Sequence, residues 1–167
     1  KNKPGIVILQ GGANDIGYLV NGVYVSDSRP GRYGIEDIPG NEENSIRFSI
    51  ISLSKPTTDA KTYESPVGFL VEFNTFDGLI EYLTNSQAIQ SIASVLQEAC
   101  LQLKKEGFQV VYWNIPPFGN AGEVVHLDLK SSAQLLAAQR LRAPLNQRQR
   151  EFCVANGIVH ANVASAV

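Results

Sequence analysis

Residues 11–15, Gly-Gly-Ala-Asn-Asp, follow directly on the apolar run GIVILQ at residues 5–10. Such a run, bounded by Pro4 and Gly11 and rich in β-branched residues, predicts a buried parallel strand. Ligands of open parallel sheets sit outside the carboxyl ends of the strands, where these five residues fall. Glycines there let the backbone turn sharply and let a substrate come close. Asn14 adds a neutral N–H donor, the group suited to an oxyanion developing on an ester carbonyl. Removing one such donor from a hydrolase costs about 3–4 kcal/mol of transition-state stabilisation. Asp15 is then better suited to fixing the turn than to acting as a base. Read without chemistry, the same residues are a Gly-Gly turn with an Asn-Asp cap.

Other chemistry-bearing residues are few. The sequence has two histidines. His126, in NAGEVVHLD, lies beyond the carboxyl end of a second predicted strand, with Asp128 close by. His160 falls inside the last predicted strand and reads as a core or face residue. The acidic cluster Glu36, Asp37, Glu42 and Glu43 lies in a Gly/Pro-containing stretch and reads as solvated, not as a calcium loop. Arg140, Arg142, Arg148 and Arg150 share a helical region without an aromatic platform, which suits ion pairs better than nucleic acid. Cys100 and Cys153 are too few for a disulfide framework or a structural zinc site and read as small buried residues.

These groups must be positioned by an alternating set of elements. Residues 18–66 carry no helical period. The absence of a helix after GGAND, with the lack of a third glycine, separates it from a dinucleotide-binding loop. Ile46, Phe48 and Ile50 alternate with polar residues, as do Val67, Phe69, Val71 and Phe73 with their neighbours. They predict an antiparallel pair joined by a polar loop over residues 55–66. Residues 18–75 thus form a β-rich insertion of the kind that covers sites. Asp77-Gly78-Leu79-Ile80 reads as the opening of a helix. Ile89, Ile92, Ala93, Leu96, Cys100 and Leu103 fall on one stripe, predicting a helix over residues 86–106 capped by Ser86 and stopped by Gly107. Residues 108–115 (FQVVYWNI) form a second strand closed by Pro116-Pro117. A helix over 131–142 is broken by Pro144 before another over 146–155. Residues 158–163 (IVHANV) make a third strand. The alternation predicts a single α/β domain over residues 1–167 with a parallel sheet, whose first strand is left as an open edge.

With 44% hydrophobic residues, 18% charged residues and a net charge of -2, the chain has the composition of a packed domain. That charge gives no electrostatic drive toward nucleic acid or an anionic membrane. No apolar run reaches the length of a transmembrane segment. The 167 residues contain no methionine, which suggests a processed chain, a fragment or part of a longer polypeptide.

VILQGGANDIG resembles the third sequence block of the SGNH (GDSL-type) hydrolases, Gly-x-Asn-Asp at the end of a central strand, here Gly12-Ala13-Asn14-Asp15. The order that follows is similar: a long helix, an apolar strand ending in Pro-Pro (VVYWNIPP), a helical stretch containing Leu145-Asn146 and ending in Ala155-Asn156-Gly157, then IVHANV. The resemblance implies a flavodoxin-like three-layer α/β/α sandwich of about five parallel strands, and hydrolysis of esters of acyl lipids or acetylated sugars. It implies no metal or organic cofactor and favours a secreted or periplasmic location. By it Asn14 is an oxyanion-hole donor and Gly12 shapes its turn. The family's nucleophile comes from an earlier Gly-Asp-Ser block and its base from a late Asp-x-x-His block; neither occurs here. Ser26-Asp27-Ser28 is the nearest imitation of the first, with Ser28 as its candidate nucleophile. The expectation is a serine ester hydrolase whose remaining part, with the nucleophile, lies outside this chain. The alternatives are a non-catalytic carbohydrate- or protein-binding module on the same fold, and an unrelated α/β domain in which GGAND is only a turn.

Overall fold

A computed structural model describes residues 5–21, 24–27, 46–52, 55, 60–73, 75–118 and 132–163. The elements run β1 (Ile6–Leu9), α1 (Ala13–Asn21), β2 (Tyr24–Asp27), β3 (Ile46–Ser52), β4 (Lys61–Ser65), β5 (Gly68–Phe73), α2 (Phe76–Thr84), α3 (Gln87–Lys105), β6 (Gln109–Trp113), α4 (Ser132–Ala155) and β7 (Val159–Ala161). The three predicted parallel strands form one sheet in the order β1-β6-β7. Ile8 pairs with Val111, and Tyr112 with His160. A second, antiparallel sheet has the order β2-β3-β5-β4.

Two crossovers of the same hand, stepping in the same direction from β1 to β6 to β7, put their helices on one face of the parallel sheet. Val110 and Tyr112 on that face are buried against Cys100 and Leu96 of α3 and Cys153 of α4. The next residues along the strands point the other way. Ile6, Ile8, Trp113 and Val159 on that opposite face are all exposed, and β1 is an edge of the described sheet.

A second core joins the helices to the antiparallel sheet. Ile50, Val71 and Phe73 pack with Ile16 and Val20 of α1, Leu79 and Leu83 of α2, and Leu135, Leu141 and Leu145 of α4. Helix α4 therefore serves both cores, its first half joining the one that includes the antiparallel sheet, against α1 and α2, and its last turns packing at the parallel sheet.

Four expectations are corrected. A helix does start within GGAND: α1 spans Ala13–Asn21, so the first residues of the expected insertion at 18–75 are helical. Ile16 and Val20, one turn apart and both fully buried, supply its apolar stripe. The stretch between the predicted antiparallel strands is not all loop, because β4 lies within it and pairs along β5. Val67 belongs to the turn between them, and β5 starts at Gly68, whose φ is 138°. Pro144 does not break its helix, which runs unbroken over 24 residues. An interior proline costs about 3 kcal/mol. Against it stands a stripe that passes straight through the proline, Leu135, Ala138, Leu141, Leu145, Gln149 and Cys153, all buried. Fully burying each leucine returns about 1.5–3 kcal/mol.

The long helix α3 has its stripe as predicted. Ser86 accepts from the Ile89 N–H at 3.4 Å as N-cap, and Gly107 follows at φ 94°. Thr75 caps α2 in the same way, so Asp77-Gly78 opens a helix. No helix among the described residues is long and apolar enough to cross a membrane.

Both cysteines are buried free thiols. Burial raises the Cys100 pKa, and burial aided by the neighbouring Cys100 pushes Cys153 from 9.0 up to about 11. Burial likewise pushes Tyr112 from 10.0 to about 12, against a weaker opposing pull from the Gln149 amide. Raised values for neutral acids favour the folded state below the unfolded pKa, and that contribution is lost as pH rises through the folded one. Folding stability measured by urea denaturation is therefore expected to decline above about pH 9, and neither thiol should react with a disulfide reagent at pH 8 until the chain unfolds. Fast native-state labelling would contradict this placement of the thiols.

Candidate functional site

The turn after β1 is built by its glycines. Gly12 is buried and has φ 96°, a conformation that side-chain-bearing residues rarely adopt. A Cβ there would lie 3.0 Å from Leu145 Cδ2 and 3.4 Å from both Ile115 Cδ1 and Ile92 Cγ2. Gly12 thus lets the β1 turn approach three elements at once: α4, the segment after β6, and α3. Its carbonyl accepts from the Ile16 N–H at 3.0 Å, which starts α1.

Asn14 and Asp15 are the second and third residues of that helix, and both are exposed. The N–H groups of Ala13, Asn14 and Asp15 belong to the first turn and have no intrahelical acceptor. Asn14 is thus an exposed residue in the first turn, at the positive end of a nine-residue helix. Asp15 is the acidic residue of that first turn, where its charge complements the helix end. The structure therefore brings Gly12, Asn14 and Asp15 into one turn. Ser28 and His126, with Asp128, lie outside the described residues, as does the acidic cluster at residues 36–43. The dipeptide before Ser28, Ser26-Asp27, ends strand β2.

The carboxyl edge of the parallel sheet carries further amides that sequence reasoning had not singled out as a group. Gln10 Nε2 donates to the Asn114 carbonyl at 3.2 Å, and Asn114 Nδ2 donates to Asn162 Oδ1 at 2.7 Å. One residue from each strand end thus joins a hydrogen-bonded row across the sheet. Asn146 on α4 adds a two-point clamp: its Oδ1 accepts from the Ile115 N–H and its Nδ2 donates to the Ile115 carbonyl, both at 2.9 Å. Arg142 Nη1 donates to the same carbonyl at 3.2 Å. The available signal was slight: an Asn at the end of each of the last two predicted strands, and an Asn in the helix between them.

The arginines of α4 prove divided in use. Arg140 pairs with Asp77 at 3.4 Å across an exposed surface and sits over the Phe76 ring. Arg142 is partly buried, and desolvation lowers its pKa. Arg148 Nη2 reaches the Thr84 carbonyl at 3.5 Å. His160 is half-buried on β7 and lies parallel to the Tyr112 ring at 6.0 Å. Among the described residues no group of three or more His, Cys, Asp or Glu side chains could hold a metal ion. Comparison with protein-family models, with curated proteins and with solved structures finds no match to this chain.

Chemically, the turn can hydrogen-bond an anion from a side-chain amide and helix N–H groups without bringing a full positive charge. Two outcomes follow. Gly12→Ala should lower the unfolding free energy by about 2 kcal/mol, because its φ and its three neighbours both resist a Cβ. Gly11→Ala should cost less, since its new Cβ meets only the flexible Leu96 side chain, 2.5 Å from Cδ2; the reverse order in urea denaturation would refute the turn geometry. Asn146→Ala leaves the buried Ile115 N–H unpaired and should cost about 1–3 kcal/mol in the same measurement.

Proposed function

We propose that this chain is part of an ester hydrolase of the SGNH (GDSL) type, built on a flavodoxin-like α/β/α sandwich. Acyl transfer runs through a serine outside these 167 residues. That serine attacks the ester carbonyl, and the negative charge that develops on the carbonyl oxygen is met by Asn14 Nδ2. Gly12 holds the turn that aims the donor, and Asp15 secures the first turn of α1. The substrates are esters of small molecules, acyl lipids or acetylated glycans, and the family resemblance favours a secreted or periplasmic enzyme.

The observation that carries this reading is the exposed Asn14 carboxamide in the first turn of a helix that starts at the carboxyl end of a parallel strand. Had the segment been only a structural turn, Asn14 would be expected against the core, satisfying buried backbone. Instead Gly12 is the buried member and the amide is outside. The first-turn N–H groups add to its effect, because helix N-termini stabilise anions without a proton transfer.

The test uses the polypeptide encoded by the complete reading frame and a short-chain nitrophenyl ester. Asn14→Ala should reduce kcat by about 100- to 1000-fold with little change in KM, since the donor acts on the transition state and not on the bound ester. Asn14→Asp should be no better, because it replaces a donor with a negative charge beside the developing oxyanion. Undiminished turnover in Asn14→Ala removes Asn14 from the mechanism. No turnover by the wild type on any ester assigns the fold a binding role.

A further inference from the structure

A pocket of about 350 Å³ lies between α4 and the outer edge of β7, toward the carboxyl ends of β6 and β7. Among the described residues it is lined by Arg150, His160, Ala143 and four carboxamides, those of Asn114, Asn146, Gln147 and Asn162, and by no carboxylate. Asn114 is buried at its floor, His160 and Asn146 are half-buried, and Arg150, Gln147 and Asn162 form an exposed rim. Three of the four α4 arginines bind partners within the described residues: Asp77, the Ile115 carbonyl and the Thr84 carbonyl. Arg150 pairs with none of the described residues and faces the pocket. The His160 Nε2 atom is itself buried and has no hydrogen-bond partner there.

An unpaired guanidinium among carboxamides in one polar concavity is complementary to a small anion, and the half-buried His160 ring borders the same space. We infer that this pocket binds a small oxyanion, a carboxylate or a phosphate group, on the Arg150 guanidinium and beside the His160 ring, with the amides completing its hydrogen bonds.

The inference goes beyond the esterase reading and does not depend on it. Among the described residues, the charged and titratable groups around His160 are Arg150 from α4 and the stacked Tyr112 from β6; Glu151 is held on the helix surface by Gln147 Nε2 at 2.7 Å. Burial first, and then the Arg150 charge, lower the His160 pKa from 6.5. A lowered folded value means that protonation opposes folding as pH falls. An anion on the Arg150 guanidinium reverses the second effect. It favours the imidazolium, so binding strengthens as pH falls and His160 titrates at higher pH when the site is filled.

The experiment is a pH titration of the His160 ring nitrogens by NMR, with inorganic phosphate or acetate added at constant ionic strength set by sodium chloride. Saturable movement of the His160 pKa upward with either anion is the expected result. Arg150→Gln should weaken that binding about tenfold or more. Arg140→Gln, which makes the same charge change elsewhere on α4, should leave it unchanged. A His160 titration indifferent to both anions overturns the inference, as does equal weakening by the two arginine variants.

Discussion

The two hydrogen bonds from the Asn146 carboxamide to the Ile115 backbone hold the candidate site in register. Ile115 is the first residue beyond Asn114 at the end of the central strand, and its side chain abuts Gly12, where the β1 turn enters α1. Leu145, the residue before Asn146, packs against the same glycine. One turn of α4 thus fixes the ends of two strands at once. This explains why the helix must be continuous across Pro144. If it broke there, Leu145 and Asn146 would leave the frame set by Leu135, Ala138 and Leu141, and the first half of α4 would no longer tie the antiparallel sheet to the parallel one.

The same arrangement accounts for the chemical character of the carboxyl edge. Its residues are mainly neutral amides, each making a directed hydrogen bond to backbone or to another amide. Neutral donors can be buried at modest cost when paired, whereas a buried charge brings a desolvation penalty of several kcal/mol. An edge built this way can stay rigid and partly dry while keeping the Asn14 carboxamide exposed at its margin. Among the described residues, charge enters through Arg142 on the Ile115 carbonyl, Asp15 in the first turn of α1 and Arg150 at the flank.

Much of the parallel layer was legible in the sequence because its signals are local and strong. The apolar runs at GIVILQ and FQVVYWNI, the stripe from Ile89 to Leu103 with its Ser86 cap, and the Asn156-Gly157 stop each specify an element without tertiary help. Helix α1 was missed because ANDIGYLVN contains an internal glycine and only Ile16 and Val20 to mark its buried face; packing against α3 and α4 decides it. Strand β4 was missed because KTYES is polar. It is an edge strand, stabilised by its ladder to β5 and by the Ser65 Oγ bond to the Gly68 carbonyl at 3.0 Å. Pro144 signals a break by propensity alone, and the buried stripe that runs past it overrides that signal. In the candidate site, the exposure of Asn14 could be anticipated from Gly-Gly-Ala-Asn-Asp, but the amide row could not. Gln10, Asn114 and Asn162 are 104 and 48 residues apart along the chain, and only strand order brings them together.

The central claim is that Asn14 Nδ2 is aimed at the oxygen of a tetrahedral acyl intermediate. The most direct measurement is a crystal structure of the complete polypeptide after reaction with an alkyl phosphonate, which would trap the proposed nucleophilic serine as a mimic of that intermediate. The account predicts the phosphonyl oxygen within about 2.7–3.1 Å of Asn14 Nδ2. A phosphonyl oxygen bound by other donors, with Asn14 turned to solvent and beyond hydrogen-bond reach, would contradict it.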